Sequence, residues 1–162
     1  MDIYFLRHGE SLFNIDPKND LIDCSLTLNG IKQSNQIDFN ENPKHYSLII
    51  CSPLSRCIQT FKHSNITYDQ YEINDLFREI RTGCKSDLLN ENEIILSESE
   101  EQINERIKQI HIYLSEKKQT NIRNILIITH ADLIWNLTAK NINDELFGIW
   151  LNNAQLIHWK QI

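Results

Sequence analysis

The sequence predicts an α/β fold, a three-layer sandwich around a mostly parallel central sheet. Short apolar runs alternate with segments of helical periodicity from end to end, and polar, chemistry-bearing residues follow directly after three of those runs. At 162 residues the chain is expected to be a single domain, 1–162, large enough to bury a proper core.

In chain order, the apolar runs Ile3 to Leu6, Leu48 to Cys51, Tyr71 to Ile73, Ile125 to Thr129 and Gln155 to Trp159 read as strands. Helices are expected over Thr27 to Phe39, Pro53 to His63, Ser99 to Ser115 and Ala131 to Lys140. The third is the clearest. Ile103, Ile107, Ile110 and Leu114 recur on one helical face behind the capping pattern of Ser99 and Gln102. Pro53 suits a first helical position with Ser52 as its cap. Gly83 to Ser97 is the longest expected loop, and the sequence contains neither an internal repeat nor a linker.

Composition narrows the function. With 41% hydrophobic and 23% charged residues, the chain is that of a folded globular protein. A formal net charge of −6 and the lack of any run of Lys and Arg argue against nucleic acid as a partner. No signal-like N-terminal segment or membrane-length apolar run is present, so a cytoplasmic location away from membranes is expected. The four cysteines form no C-x-x-C pair and are expected to be free and mostly buried. Four glycines, at 9, 30, 83 and 148, do not make a phosphate-cradling Gly-rich loop.

In an open α/β sheet, ligands bind beyond the carboxyl ends of the strands. Three polar clusters fall there: Arg7-His8-Gly9-Glu10, Ser52-Pro53-Leu54-Ser55-Arg56 and His130-Ala131-Asp132. Two arginines and two histidines in one crevice repel each other unless an anion lies between them. A phosphoryl group fits that requirement, since guanidinium forks bind its oxygens and a helix N-terminus near Pro53 would add its dipole. Surrounding cations would keep an imidazole neutral and nucleophilic. Glu79 and Asp132 are the candidate general acids, and nothing in their spacing separates them.

The order of these elements resembles the histidine phosphatase superfamily, in its phosphoglycerate-mutase-like, RHG-motif branch. The family's "RHGES-x-x-N" stands as Arg7-His8-Gly9-Glu10-Ser11 with Asn14, and its "LT-x-x-G-x-x-Q" as Leu26-Thr27 with Gly30 and Gln33. Ser52, Leu54, Arg56, Gln59 and Thr60 match "S-x-L-x-R-x-x-Q-T", Glu79-Ile80 with Gly83 match "E-I-x-x-G", and His130 is the late strand-end histidine. The resemblance spans nearly the whole chain, from residue 3 to about 139. It implies a cofactor-independent, metal-free phosphatase acting on a small phosphorylated substrate or phosphoprotein, as a monomer or homodimer. It further implies His8 as the phosphorylated nucleophile, Arg7, Arg56 and His130 as phosphoryl-binding groups, Asn14 as a pocket residue and Glu79 as proton donor.

One departure is clear. Ala131 and Asp132 follow the second histidine where the family usually has glycine, which keeps Asp132 as an alternative acid. The family also contains phosphoglycerate mutases. Those carry a longer insertion after the acidic element, so the short Gly83 to Ser97 segment favours a phosphatase. A non-catalytic phospho-ligand module is the remaining alternative. A metal site of His8, Glu10, His130 and Asp132 is opposed by Arg7 and Arg56, which would repel a cation. Residues 51–56 (CSPLSR) resemble a cysteine-phosphatase loop but lack its glycine. His45, His63, His111 and His158 are expected to have surface or packing roles, and Trp135, Trp150 and Trp159 to be core or packing aromatics.

Overall fold

The computed structural model describes residues 1–118 and 120–162. Five strands form one sheet in the order β3-β2-β4-β1-β7, where β1 is Asp2–Arg7, β2 His45–Cys51, β3 Thr67–Ile73, β4 Asn124–Thr129 and β7 Leu156–Gln161. The first four are parallel, and β7 closes the edge antiparallel to β1 with a register shift at Ile3 and Tyr4. The expected α/β architecture with a mostly parallel sheet is the one observed.

Alternation along the strands explains the layers. Ile3, Phe5, Leu48, Ile50, Ile125 and Ile127 pack on one face with α4 (Glu100–Lys117) and α5 (Ala131–Thr138). Leu6, Ile49, Cys51, Leu126 and Ile128 point the other way, toward Ile37 and toward Cys57 on α3 (Ser55–His63). All eleven of these strand side chains are at most 1% exposed. Burying each removes apolar area worth roughly 1.5–3 kcal/mol from water, so a sheet covered on both sides needs the continuous apolar runs that the sequence supplies.

Several boundaries differ from expectation. Helix α2 covers only Leu28–Asn35, capped by the Thr27 side chain on the Gly30 amide, because ending there lets Ile37 and Phe39 turn back onto the sheet. Strand β3 starts four residues earlier than its apolar part, at Thr67. As an edge strand it pairs through backbone on one side and tolerates exposed Tyr68, Asp69 and Gln70. Helix α3 starts at Ser55 rather than Pro53. Its amide end is covered from outside by Asp23, whose carboxylate accepts the Ser55 backbone N–H at 2.6 Å and its hydroxyl at 2.5 Å.

Three elements were not expected. A single helical turn, α1 (Leu12–Ile15), follows β1. Strands β5 (Lys140–Ile142) and β6 (Glu145–Phe147) form a hairpin whose two turn residues, Asn143 and Asp144, have φ of 53° and 66°. Asn and Asp are among the few non-glycine residues that accept that conformation, so the pair was a readable turn signal. Segment 83–97 has no helix or strand beyond one tight turn at Lys85–Asp87. No helix among the described residues is long and apolar enough to cross a membrane.

Candidate active site

Strand β1 ends at Arg7, β2 at Cys51 and β4 at Thr129, so the three polar clusters leave the sheet side by side. Arg7, His8, Asn14, Arg56, Glu79 and Asp132 line one cleft of about 190 Å³, joined by Phe13, Asp87 and Trp150. Six of the seven residues singled out for the site therefore meet there.

His8 is 3% exposed, and its backbone N–H bonds to the Thr129 carbonyl, which ties the start of the loop to β4. Its Nδ1 lies 2.7 Å from the Gly9 carbonyl, an atom that can only accept. Nδ1 therefore carries the proton, and Nε2 is left with a free lone pair. Burial, then the nearby Arg56 charge, hold the imidazole well below its ordinary pKa, with Arg7 adding to the effect and the Gly9 bond opposing it. The ring is neutral at neutral pH.

Gly9 is required for close approach rather than for a special turn. A Cβ there would sit 2.6 Å from the Gly30 carbonyl oxygen, and one on Gly30 would sit 2.1 Å from the Glu10 carbonyl oxygen. The two glycines let α2 rest directly against the loop that carries His8. The Gly9 amide then donates to Thr60 Oγ1 at 2.9 Å, linking the same loop to α3.

The two arginines differ. Arg7 donates to the Leu151 carbonyl at 2.7 Å and lies 5.6 Å from the Trp150 ring centre, leaving its Nε a buried donor without a partner. A bound anion or an ordered water can accept from such a donor. Arg56 is 4% exposed and held on three sides, by His130 Nδ1 at 3.2 Å, the Ser86 carbonyl at 2.6 Å and Asp87 Oδ1 at 2.9 Å.

His130 lies behind His8, with ring centres 5.1 Å apart, and is fully buried. Arg56 can only donate, so His130 Nδ1 accepts and the proton sits on Nε2, which bonds Ser52 Oγ at 2.8 Å. Both nitrogens are thus engaged within the protein. Contact with a ligand would need one of those bonds to open.

Glu79 receives two backbone amides on Oε1, from Ile80 at 2.9 Å and from Leu133 in the first turn of α5 at 3.0 Å. Arg106 on α4 fixes the segment by donating to the carbonyls of Arg78 and Glu79. Burial and then Asp132 push the Glu79 carboxyl up to about 7, against the pull of Arg56. Asp132 is half-buried in the first turn of α5, and burial raises its carboxyl pKa against the pull of Arg7.

Some expectations need correction. The N-terminus of α3 faces Asp23, so its dipole is spent on that carboxylate rather than on a bound anion. Trp150 is 57% exposed and stacks near Arg7 at the cleft mouth instead of packing in the core. Asn14 commits its oxygen to Ser11 and Asn153, leaving only its NH₂ group for a ligand. Asp23, Asp87 and Arg106 were missed, because each acts across a long sequence gap. The Glu10 carboxylate turns to Thr27 and Asn29, and no group of three or more potential metal ligands occurs among the described residues.

No curated protein sequence matches the chain significantly. Solved structures share its fold. A putative alpha-ribazole-5'-P phosphatase of Escherichia coli aligns with a TM-score of 0.64 at 18% identity, covering 96% of this chain and 98% of its own. Phosphoglycerate mutase of Thermus thermophilus gives 0.63 at 18% identity, with 98% and 92% covered. The phosphoserine phosphatase of Entamoeba histolytica gives 0.56 at 24% identity, with 83% and 76% covered. Residues 3–95 match the sequence profile of the histidine phosphatase superfamily (branch 1), and this chain belongs to that family.

Proposed function

We propose that the protein is a phosphomonoesterase that works through a phosphohistidine on His8. The observation that supports this most is the tautomer of His8. Its Nδ1–H is pinned to the Gly9 carbonyl, so a neutral Nε2 is presented in a cleft that also holds Arg7 and Arg56.

In the first half-reaction, the Nε2 lone pair attacks phosphorus in line with the departing alcohol. The P–O bond breaks as the P–N bond forms, and the Glu79 carboxyl gives its proton to the leaving oxygen. A carboxyl titrating near 7 is protonated often enough at neutral pH to do so. Arg7 and Arg56 hold the non-bridging oxygens while charge shifts among them. Water then attacks the phosphoryl group, its proton passes to Glu79, and breaking of the P–N bond releases inorganic phosphate and restores His8. No cofactor enters the scheme.

Hydrolysis of p-nitrophenyl phosphate and a panel of natural phosphomonoesters tests the reading. Wild-type protein should turn over, and His8→Ala should lose about 10³-fold or more in kcat/KM. An unimpaired His8→Ala protein would refute it. Interconversion of 3- and 2-phosphoglycerate at enzymic rates would favour a mutase, and phosphate binding without any turnover would favour a binding module.

A further inference from the structure

Asp87 is the one buried carboxylate in the cleft wall that the scheme above does not use. It sits in the turn Lys85–Asp87 of the connection after Glu79 and is 5% exposed. Its Oδ1 accepts from Arg56 Nη2 at 2.9 Å, and the neighbouring Ser86 carbonyl accepts from Nη1 at 2.6 Å.

The turn is itself anchored. The Ser86 amide donates to Asp20 at 2.9 Å, and the Asp23 amide donates to the Leu88 carbonyl at 3.0 Å. Arg78 donates to the Asp87 carbonyl at 2.6 Å while forming a two-pronged pair with Glu93. Asp23 also caps the helix that carries Arg56. One small loop framework thus fixes both partners of the Arg56 and Asp87 pair.

An arginine has five N–H donors. Three are bound within the protein, to His130, Ser86 and Asp87, which leaves one on each terminal nitrogen for a ligand. A guanidinium held this way keeps its free fork in one plane and does not sweep through rotamers before binding. Asp87 also places a negative charge beside the guanidinium, with Asp20, Asp132 and Glu79 nearby and Arg56 and Arg78 opposing them. That charge weakens the hold of Arg56 on a dianion.

We infer that Asp87 is a positioning residue for Arg56 and a brake on phosphate affinity. It holds the guanidinium in the binding orientation while preventing the product, inorganic phosphate, from being retained. The inference rests on the phosphatase reading for its catalytic part and on anion binding alone for its affinity part.

Two substitutions separate orientation from charge. Asp87→Asn keeps an oxygen for Arg56 and removes the charge, whereas Asp87→Ala removes both. Calorimetric titration with inorganic phosphate at pH 7.5 should show Asp87→Asn binding about tenfold more tightly than wild type, with a matching fall in KM for p-nitrophenyl phosphate. Asp87→Ala should lose about 10²-fold in kcat, because Arg56 is no longer held. Equal phosphate affinity in wild type and Asp87→Asn would overturn the inference even if Asp87→Ala fails to fold, since a merely structural carboxylate would not alter that number. Wild-type protein that binds phosphate but hydrolyses nothing would end the phosphatase reading and leave the affinity arm to decide on Asp87. Wild-type protein that binds no phosphate would overturn both.

Discussion

At Glu79 the proposed function is set against stability at a single residue. Its carboxyl is pushed from 4.5 up to about 7, chiefly by burial and then by Asp132. Two consequences follow from the sign. In the proposed scheme the proton is needed for leaving-group departure, so kcat/KM should fall about tenfold per pH unit above 7. In folding, the unfolded carboxyl loses its proton first as pH rises from 4.5, so stability declines through the interval to about 7 and is level beyond it. The cost at pH 8 is on the order of 3 kcal/mol. Glu79→Gln keeps an oxygen for the Ile80 and Leu133 amides. It should raise the melting temperature at pH 8, with little gain at pH 4, and reduce kcat by about 10²-fold or more. A variant with unchanged kcat would transfer the acid role to Asp132. At this scale, Arg7, His8, Arg56 and Glu79 were legible because each follows a strand or a recognisable pattern. The Arg56 partner was not, because 31 residues separate it from Asp87 and only the folded turn brings them together.

Among the elements, the two helices nearest the chemistry get their N-terminal partners from elsewhere in the chain. Asp23 covers the start of α3, and Glu79 accepts an amide in the first turn of α5. No local side-chain cap precedes α3, so the helix-start pattern of Ser52 and Pro53 lies two residues ahead of its observed start at Ser55. Helices α2, with Thr27, and α4, with Ser99 and Gln102, have local caps and were legible at their starts. Asp23 has φ of 47°, a left-handed conformation that aspartate tolerates better than most residues. Asp23→Ala should therefore cost about 1–2 kcal/mol from the lost cap. Because α3 carries Arg56, KM should rise as well, measured on p-nitrophenyl phosphate. A destabilised protein with unaltered KM would separate the cap from the site.

For the molecule as a whole, the parallel sheet and its two apolar faces were readable from hydrophobic pattern alone, since both faces are buried and the strands are continuous apolar runs. The exposed edges were not. Strand β3 and the β5–β6 hairpin present mostly exposed side chains, so burial left no periodic mark on them. Net charge of −6 coexists with a cleft that collects Arg7 and Arg56, so the proposed recognition of a phosphoryl group rests on placement rather than on overall charge. A larger groove of about 780 Å³ lies at the opposite, amino ends of the strands, lined by residues such as Tyr4, His45 and Asn124. Its lining includes Arg123 and His45 but not a pair of arginines flanking a histidine as in the smaller cleft, and ligands of open α/β sheets bind at the carboxyl ends of the strands.

The proposed chemistry turns on covalent phosphorylation of His8 Nε2. Rapid base quenching of wild-type protein during turnover, followed by mass spectrometry of the peptide that contains residue 8, measures this directly. A base-stable, acid-labile phosphoryl group is expected on His8, absent from His8→Ala and longer-lived in Glu79→Gln. Steady turnover with no phosphate on His8, or with the label on another residue, would contradict it.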